Sequence, residues 1–294
     1  MAVTPAVTFV GLGSMGLPMA RNLLRRGFEV RGYDVRPEGR AAFADAGGRT
    51  AGTIAEASAG AGILILMVVN AAQGEEVLFG EGALDALAPD AAVILMATCP
   101  PGAVAALAER VRATGRRFVD APVSGGVVGA ESATLTIMAG APAEVLAYVR
   151  PALDAMGDKV FHVGPQAGQG ATVKAVNQLL CGVNLAAAAE ALSLAEKVGV
   201  DGAVVLEILS GSSASSWMLR DRGPRMLEEA PRVTSAVDIF VKDLGIVLEA
   251  GRGEKAALPL AALAHQLFLA ASGRGEGAAD DSQVIGSYRA LNGT

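Results

Sequence analysis

The sequence predicts an α/β domain built on a doubly wound parallel sheet, joined by a long helix to a second domain made only of helices. In the first half of the chain, short apolar runs alternate with helical patterns, which is typical of a parallel sheet covered on both faces. A glycine-rich turn directly follows the first apolar run. After a turn-rich segment at 164–170, only helical patterns remain.

Five runs rich in β-branched and apolar residues predict the strands of the sheet, and helical patterns lie between them. The strands are predicted at residues 7–10, 28–33, 63–68, 92–96 and 117–120. The helices are predicted at residues 15–26, 37–46, 71–78 and 101–114. Two more strands, at 135–139 and 160–163 around a helix near 142–156, are predicted to extend the sheet at one edge.

The second half begins with a run from about residue 171 to residue 198 that is apolar nearly all round, which predicts a long buried helix. No strand is predicted after residue 165. The further helices are predicted at 202–209, 237–250, 258–272 and 281–291. We therefore expect one domain at 1–165 and an all-helical domain at 166–294.

The composition excludes several classes of protein. Acidic residues outnumber basic ones by 30 to 24, a net charge of -6, which argues against a nucleic-acid partner or an anionic membrane surface. Cys99 and Cys181 are too few for a disulfide framework, and no Cys/His cluster suggests a metal. The N-terminus lacks a signal-peptide pattern, and the most apolar short run, 63–69, is too short to span a membrane. A cytoplasmic protein is expected.

Residues 11–16 read Gly-Leu-Gly-Ser-Met-Gly, between the first strand and the first helix. This is the dinucleotide fingerprint in its required context: a tight turn, a close approach of the backbone to a pyrophosphate, and close packing of the helix. Asp34 closes the second strand, where a carboxylate accepts hydrogen bonds from the adenine ribose and repels a 2′-phosphate. A Rossmann-type domain that prefers NAD to NADP is predicted, with the nearby Arg36 softening that preference.

Lysine is rare in this chain, with five lysines among 24 basic residues. Lys174 lies near the start of the long helix, and Asn177 and Gln178 follow at i+3 and i+4 on the same face. A buried lysine loses hydration, so its pKa falls and it becomes a general acid or base near neutral pH. A surface lysine is the alternative for this residue taken alone.

Residues 120–126 read Asp-Ala-Pro-Val-Ser-Gly-Gly and follow a predicted strand at the carboxyl edge of the sheet, where open α/β folds bind ligands. Ser124, Gly125 and Gly126 offer a hydroxyl and unobstructed backbone N–H groups, which suit a carboxylate. A plain proline and glycine turn is the alternative interpretation.

Together these motifs resemble the β-hydroxyacid dehydrogenase family, the 3-hydroxyisobutyrate dehydrogenase-related enzymes. The resemblance spans essentially the whole chain in four ordered segments, at 11–16, 120–126, 168–178 and 242–243. It implies a Rossmann-type domain with a helical C-terminal domain, NAD as the cofactor and a small hydroxy acid as the substrate.

The resemblance also implies roles for single residues. Lys174 would exchange a proton with the substrate hydroxyl, Ser124, Gly125 and Gly126 would hold the substrate carboxylate, and Asn177 or Gln178 would position the substrate. The cofactor residues that it implies are Gly11, Gly13, Ser14, Met15, Gly16, Asp34, Val69, Thr98 and Lys242. The chain departs from the family at 68–70, which reads Val-Val-Asn where many members have Leu-Pro, and at Cys99, where serine is frequent.

Within the family, the stretches at 215–218, 222–227 and 236–245 look most like those of enzymes that oxidise L-threonate to 2-dehydro-L-erythronate. The serines at 212, 213, 215 and 216 would bind the extra hydroxyls, or form a plain loop with Trp217 as a core anchor. 3-Hydroxyisobutyrate, tartronate semialdehyde or another short hydroxyacid or semialdehyde is the alternative substrate. A non-catalytic dinucleotide-binding protein is the more distant alternative. The apolar surface of the C-terminal helices predicts a homo-oligomer, a dimer or a tetramer.

Overall fold

The computed structural model describes residues 5–293. The chain divides into two compact units, of which the first extends to Lys174 and the second begins at Ala175. This division falls inside a helix, whereas the sequence predicts a boundary at the turn-rich segment near residue 165.

The first unit is built on a nine-stranded sheet. Its strands are β1 (Val7–Val10), β2 (Val30–Tyr33), β3 (Arg49–Thr50), β4 (Ile63–Leu66), β5 (Ala92–Leu95), β6 (Arg117–Asp120), β7 (Val123–Ser124), β8 (Thr136–Gly140) and β9 (Lys159–Gly164). Its helices are α1 (Gly16–Arg25), α2 (Pro37–Asp45), α3 (Ile54–Ser58), α4 (Ala71–Glu75), α5 (Ala83–Ala86), α6 (Pro101–Ala113), α7 (Gly126–Ser132) and α8 (Ala143–Asp154). A π-helical turn, Glu76–Gly80, extends α4.

The strands run in the order β3-β2-β1-β4-β5-β6-β8-β7, with β9 paired to β8. The pairs from β3 to β6 are parallel, and β8 is antiparallel to β6 and β7. The direction of winding reverses between β1 and β4, which is where open α/β sheets form a ligand crevice at the carboxyl ends of the strands. This order confirms the predicted doubly wound fold.

Burial on both faces explains why the central strands are continuously apolar. β1, β4 and β5 have no exposed residue, and successive side chains point to opposite faces. Phe9, Ile65 and Ile94 belong to the core on one face, and Leu66 and Leu95 to the core on the other.

The second unit is helical in the part of the chain that the structure describes, with no strand after β9, as predicted. Its elements are the long helix α9 (Gln169–Lys197), which begins in the first unit, then α10 (Gly202–Gly211), α11 (Trp217–Met226), α12 (Val237–Gly253), α13 (Pro259–Ala271), a 3-10 turn (Asp281–Val284) and α14 (Ile285–Asn292). Leu185, Leu192 and Val247 lie in its core, and Phe240 stacks on Phe268 with ring centroids 4.9 Å apart.

The prediction that the long helix is buried nearly all round is wrong for one face of α9. Leu185, Ala189 and Leu192 face the core of the second unit, whereas Leu180 and Leu194 are exposed. By length and composition alone α9 is able to cross a membrane, but half of its most apolar stretch is buried within the structure. The helix is therefore the central core element of the second unit, with one apolar face left uncovered.

Candidate active site

The segments singled out in the first half of the chain lie at one edge of the sheet. The glycine turn at 11–16 follows β1, Asp34 follows β2, residues 67–70 follow β4, Thr98 follows β5, and Asp120 ends β6. These strands are parallel, so their carboxyl ends share an edge. The fold thus collects the predicted ligand segments of the first unit on one side.

The glycine turn has the geometry that a dinucleotide requires. Gly11 has φ +95°, and a Cβ at this position would lie 2.2 Å from the carbonyl oxygen of Met67. A Cβ at Gly16 would lie 1.8 Å from the carbonyl oxygen of Gly11, so α1 packs directly on the turn. The atom nearest to a Cβ at Gly13 would be a side-chain nitrogen of the exposed Arg36, 3.1 Å away. Backbone therefore closes the turn at the outer two glycines and leaves it open at the middle one, where a pyrophosphate fits.

Asp34 is buried at the end of β2, and its carboxylate is bound to the glycine turn. Its Oδ2 accepts the Leu12 N–H at 2.7 Å, and its Oδ1 accepts the Arg36 N–H at 2.8 Å. The guanidinium of Arg36 also folds back to Oδ1, with its Nε at 3.3 Å. Burial acts to raise the pKa of Asp34, but the bonds from Arg36 and Leu12 outweigh it and hold that pKa below its usual value. The carboxylate is therefore ionised at neutral pH.

The loop after β4 explains one departure from the family pattern. Asn70 caps α4, because its side-chain oxygen accepts the Gln73 N–H at 2.9 Å. The Gln73 side chain in turn accepts the N–H of the exposed Val69 at 2.9 Å. After β5, Thr98 is half-buried and Cys99 is buried. The Val-Val-Asn sequence thus lies in the loop between β4 and α4, and its last residue caps the helix.

The segment after β6 turns back at once into a short hairpin-like pairing. β7 pairs antiparallel with β8, and Ser124 lies opposite Thr136. Gly125 has φ +129° and Gly126 has φ +60°, conformations that other residues rarely adopt. A Cβ at Gly126 would meet no atom within 4 Å, so its backbone faces open space. The turn can therefore present backbone N–H groups to an anion.

Asp120 links the same strand end to the start of α9. Its Oδ2 accepts the N–H of Gly168 at 2.9 Å and the N–H of Ala171 at 2.8 Å. Burial raises the pKa of the Asp120 carboxyl to about 6, although these backbone N–H groups act to lower it. Lys174 follows Ala171 by three residues and is 7% exposed. The structure therefore buries the lysine that the sequence singles out.

In the second unit, a polar network joins α9 to α12. The amide Nε2 of Gln178 donates to Oδ2 of Asp243 at 2.5 Å, and the Nζ of Lys242 pairs with Oδ1 at 2.7 Å. The amide of Asn177 donates to Oε1 of Gln178 at 2.9 Å. The buried Asp243 thus brings Asn177, Gln178 and Lys242 together. Sequence reasoning gave Asp243 no role, although its adjacency to Lys242 was the available signal.

The serine cluster that was expected to bind substrate hydroxyls has local partners. Ser216 caps α11, because its Oγ accepts the Leu219 N–H at 3.0 Å. The Oγ of Ser212 donates to the carbonyl oxygen of Leu209 at 3.2 Å. Trp217 is 46% exposed and is therefore not the core anchor that the alternative interpretation required. These hydroxyls support the loop and the helix cap.

Comparison with known proteins agrees with this architecture over nearly the whole chain. Residues 6–164 match the family model described as the NAD binding domain of 6-phosphogluconate dehydrogenase, and residues 168–288 match that described as NAD-binding of NADP-dependent 3-hydroxyisobutyrate dehydrogenase. An L-threonate dehydrogenase of Cupriavidus necator is 46% identical over 277 residues, which cover 94% of this chain and 93% of that protein. A 3-hydroxyisobutyrate dehydrogenase of Pseudomonas aeruginosa is 36% identical over 270 residues, which cover 89% of this chain and 90% of that protein. The crystal structure of a 3-hydroxyisobutyrate dehydrogenase from Salmonella typhimurium superimposes with a TM-score of 0.91 at 36% identity, covering 96% of this chain and 99% of that chain.

Proposed function

The chain belongs to the 3-hydroxyisobutyrate dehydrogenase-related family and is an NAD-dependent hydroxyacid dehydrogenase, and we propose that its substrate is L-threonate, which it oxidises to 2-dehydro-L-erythronate. The similarity to the Cupriavidus necator L-threonate dehydrogenase, 46% identity over 94% of this chain, supports this substrate. The chemistry requires a group that takes the hydroxyl proton, a site for the carboxylate, and a surface for the dinucleotide.

The dinucleotide surface that we propose is the carboxyl edge of the sheet. The open backbone at Gly13 suits the pyrophosphate, and the ionised Asp34 suits the adenine ribose hydroxyls. When bound, NAD supplies the hydride acceptor of the reaction. The residues that would hold it are Gly11, Gly13, Ser14, Met15, Gly16, Asp34, Val69, Thr98 and Lys242.

One observation carries the proton-transfer part of the proposal. Lys174 is 7% exposed, and it lies on the helix whose first turn is bound to the strand that leads to Ser124. In the oxidative direction its neutral amine takes the proton of the substrate hydroxyl, and in the reverse direction its ammonium returns that proton. A buried position suits this role because water does not compete there for the proton.

The carboxylate of the substrate is proposed to bind at Ser124, Gly125 and Gly126. The open space beside Gly126 and the positive φ angles of both glycines support this assignment. Asn177 and Gln178, one turn beyond Lys174 on α9, are proposed to orient the substrate. Holding the carboxylate and the hydroxyl at two fixed points converts binding energy into orientation of the reacting carbon.

3-Hydroxyisobutyrate is the second candidate substrate. Because Ser212 and Ser216 serve their own loop and helix cap, the described residues of this cluster give no specific support to a polyhydroxy acid. The Pseudomonas aeruginosa 3-hydroxyisobutyrate dehydrogenase, 36% identical, supports this alternative.

The experiment that tests the substrate measures NADH formation with L-threonate, D-threonate, 3-hydroxyisobutyrate, D-glycerate and tartrate. We expect kcat/KM for L-threonate to exceed that for each other acid by at least about tenfold, a difference of about 1.4 kcal/mol in transition-state binding. D-Threonate is the matched control, because it differs in configuration and has the same groups. A higher kcat/KM for 3-hydroxyisobutyrate would contradict the L-threonate assignment and leave the class of enzyme intact.

We also propose that the enzyme is a cytoplasmic homo-oligomer. Val176, Leu180 and Leu194 form an exposed apolar face on α9, which a second copy of the chain would cover. Two cysteines are too few for a disulfide framework of the kind found in small secreted proteins, which supports a reducing compartment.

A further inference from the structure

We propose that Asp120 is a positioning residue for the proton transfer, because its carboxylate fastens the helix that carries Lys174 to the strand end that leads to Ser124. This inference rests on the proposed function, in which Lys174 exchanges the proton. Asp120 lies at the end of β6, is buried, and accepts two backbone N–H groups from the start of α9 on one oxygen.

The cap of α9 comes from a distant part of the chain. Helices are usually capped by a Ser, Thr, Asp or Asn side chain at the residue just before the first turn. Here that residue is Gly168, which has φ +95° and no side chain, and the acceptor is Asp120, 48 residues earlier. A local cap only determines that a helix begins. A cap from β6 also determines where α9 begins relative to the sheet.

Two glycines allow the helix start to lie against the strand ends. A Cβ at Gly170 would lie 2.4 Å from the Met138 carbonyl oxygen and 2.8 Å from that of Asp120. A Cβ at Gly140 would lie 2.6 Å from the Gln166 carbonyl oxygen. The chain thus omits side chains at both sides of this contact, and the first turn of α9 has little freedom to shift along the sheet.

The positions of Lys174 and Ser124 follow from this anchor. Lys174 lies one helical turn after Ala171, a rise of about 4.5 Å along α9. Ser124 lies four residues after Asp120, and β7 pairs it to the same strand, β8, that borders β6. One carboxylate therefore determines the relative placement of the proposed proton acceptor and the proposed carboxylate site. Misplacement of reacting groups by about 1 Å costs about 100-fold in rate.

Charge makes this link stronger than a neutral cap. Hydrogen bonds to an ionised carboxylate are about twice as strong as those between neutral groups. Asp120→Asn retains the shape and one acceptor oxygen, and loses the charge. We expect Asp120→Asn to lower kcat by about 10- to 100-fold, with a much smaller change in KM for the hydroxy acid. The Kd for NAD, measured by calorimetry, should stay at the wild-type value because the glycine turn and Asp34 are unchanged.

A double-mutant cycle with Lys174→Ala separates positioning from a purely structural role. Lys174→Ala alone should lower kcat by at least about 100-fold. If Asp120 acts through Lys174, adding Asp120→Asn should change the residual turnover by less than about twofold. Asp154→Asn, at an exposed aspartate near the end of α8, is the matched control and should leave kcat unchanged. Gly140→Ala is a second variant, which displaces the start of α9 without altering any charge. It should lower kcat in the wild type and change the residual turnover of Lys174→Ala by less than about twofold.

Each other outcome has one meaning. If Asp120→Asn lowers turnover by the same factor in the wild-type and Lys174→Ala backgrounds, the positioning role of Asp120 is overturned and Lys174 keeps its function. The same holds if Asp120→Asn has wild-type kcat. If Lys174→Ala turns over at the wild-type rate, the proposed function of Lys174 is overturned, and the role of Asp120 with it.

Discussion

We propose that a single residue, Asp34, determines the choice between NAD and NADP. Its ionised carboxylate would lie near the 2′ position of a bound dinucleotide and repel a phosphate there. Asp34→Asn removes that repulsion, so we expect the ratio of kcat/KM for NAD to kcat/KM for NADP to fall by at least about tenfold. Steady-state kinetics with both cofactors measures this ratio. Asp45→Asn, at an exposed aspartate that ends α2, is the control; an unchanged ratio in Asp34→Asn would show that selectivity resides elsewhere.

Arg36 bears on the same choice. Its guanidinium folds onto Asp34 and lies beside Gly13. A ribose hydroxyl that binds Asp34 would compete with this contact. A guanidinium released in this way would be available to a 2′-phosphate, which is why the sequence predicts a softened preference.

Local motifs predict some residues of the candidate site and not others, and the difference is physical. The glycine turn and Asp34 are readable because their geometry depends on immediate neighbours, such as the turn closed by Gly11 and Gly16. Asp120 and Asp243 are different. Asp120 binds N–H groups 48 and 51 residues away, and Asp243 binds a side chain 65 residues away. No local pattern encodes such partners, so the sequence alone gave neither residue a role.

At the scale of elements, apolar strands were predicted well and a polar helix was missed. β1 and β6 have the predicted bounds because buried runs end abruptly at turn residues. α11 was not predicted, because its interior contains Gly223 and Pro224 and several charged residues. Tertiary contacts also hold this helix, among them the buried ion pair of Arg222 with Asp281, which the local sequence does not reveal.

The Arg222–Asp281 pair leads to a prediction about stability. Arg222 binds both oxygens of the fully buried Asp281, at 2.8 Å and 3.1 Å. Arg222→Met leaves that carboxylate buried without its main partner, so we expect a loss of about 3–5 kcal/mol in unfolding free energy. Thermal and denaturant unfolding of the second unit measure this loss.

Arg220→Met is the matched control for Arg222→Met. Arg220 lies on the same helix and is exposed, so its loss should change stability by less than about 0.5 kcal/mol. Equal effects of the two substitutions would contradict a stabilising role for the buried pair.

The contact of β6 with α9 makes stability depend on pH. Burial raises the pKa of Asp120 from 3.8 to about 6, so the folded protein binds this proton more tightly than the unfolded chain. The stabilising contribution of the protonated carboxyl is complete below pH 3.8 and is lost as the pH rises through about 6. The shift corresponds to about 3 kcal/mol. As the pH rises from about 4 to about 7, the Tm of the wild type, measured by calorimetry, should therefore decrease relative to the Tm of Asp120→Asn.

Asp154→Asn, which removes an exposed carboxylate, should show no such trend in the same measurement. A difference in Tm between wild type and Asp120→Asn that is constant with pH would contradict the raised pKa. The ionised Asp120 is therefore expected to have two opposite effects at neutral pH. It lowers the stability of the protein, and it supports turnover by holding Lys174 in place. Such a conflict between stability and activity is typical of functional residues.

At the scale of the whole molecule, the order of elements was predictable and the face of α9 was not. Alternation of strands and helices determines the doubly wound sheet, and the absence of apolar strand patterns after residue 165 determines the helical second unit. A helix that is apolar nearly all round has no polar face to indicate which side is exposed. Only the packing of Leu185 and Leu192 reveals that Leu180 and Leu194 are on the uncovered side.

This uncovered face leads to a prediction about assembly. We expect light scattering to give the wild-type protein a molar mass of at least twice the 29.6 kDa of one chain. Leu180→Asp places a charge in an interface that must be dry to be stable, so it should shift the mass toward the monomer at micromolar concentration. Phe161→Asp is the matched control, because Phe161 is equally exposed at 55% and lies on the edge strand β9 of the first unit. A wild-type chain of monomer mass, or equal effects of both substitutions, would contradict an interface on α9, and the exposed leucines would then need another partner.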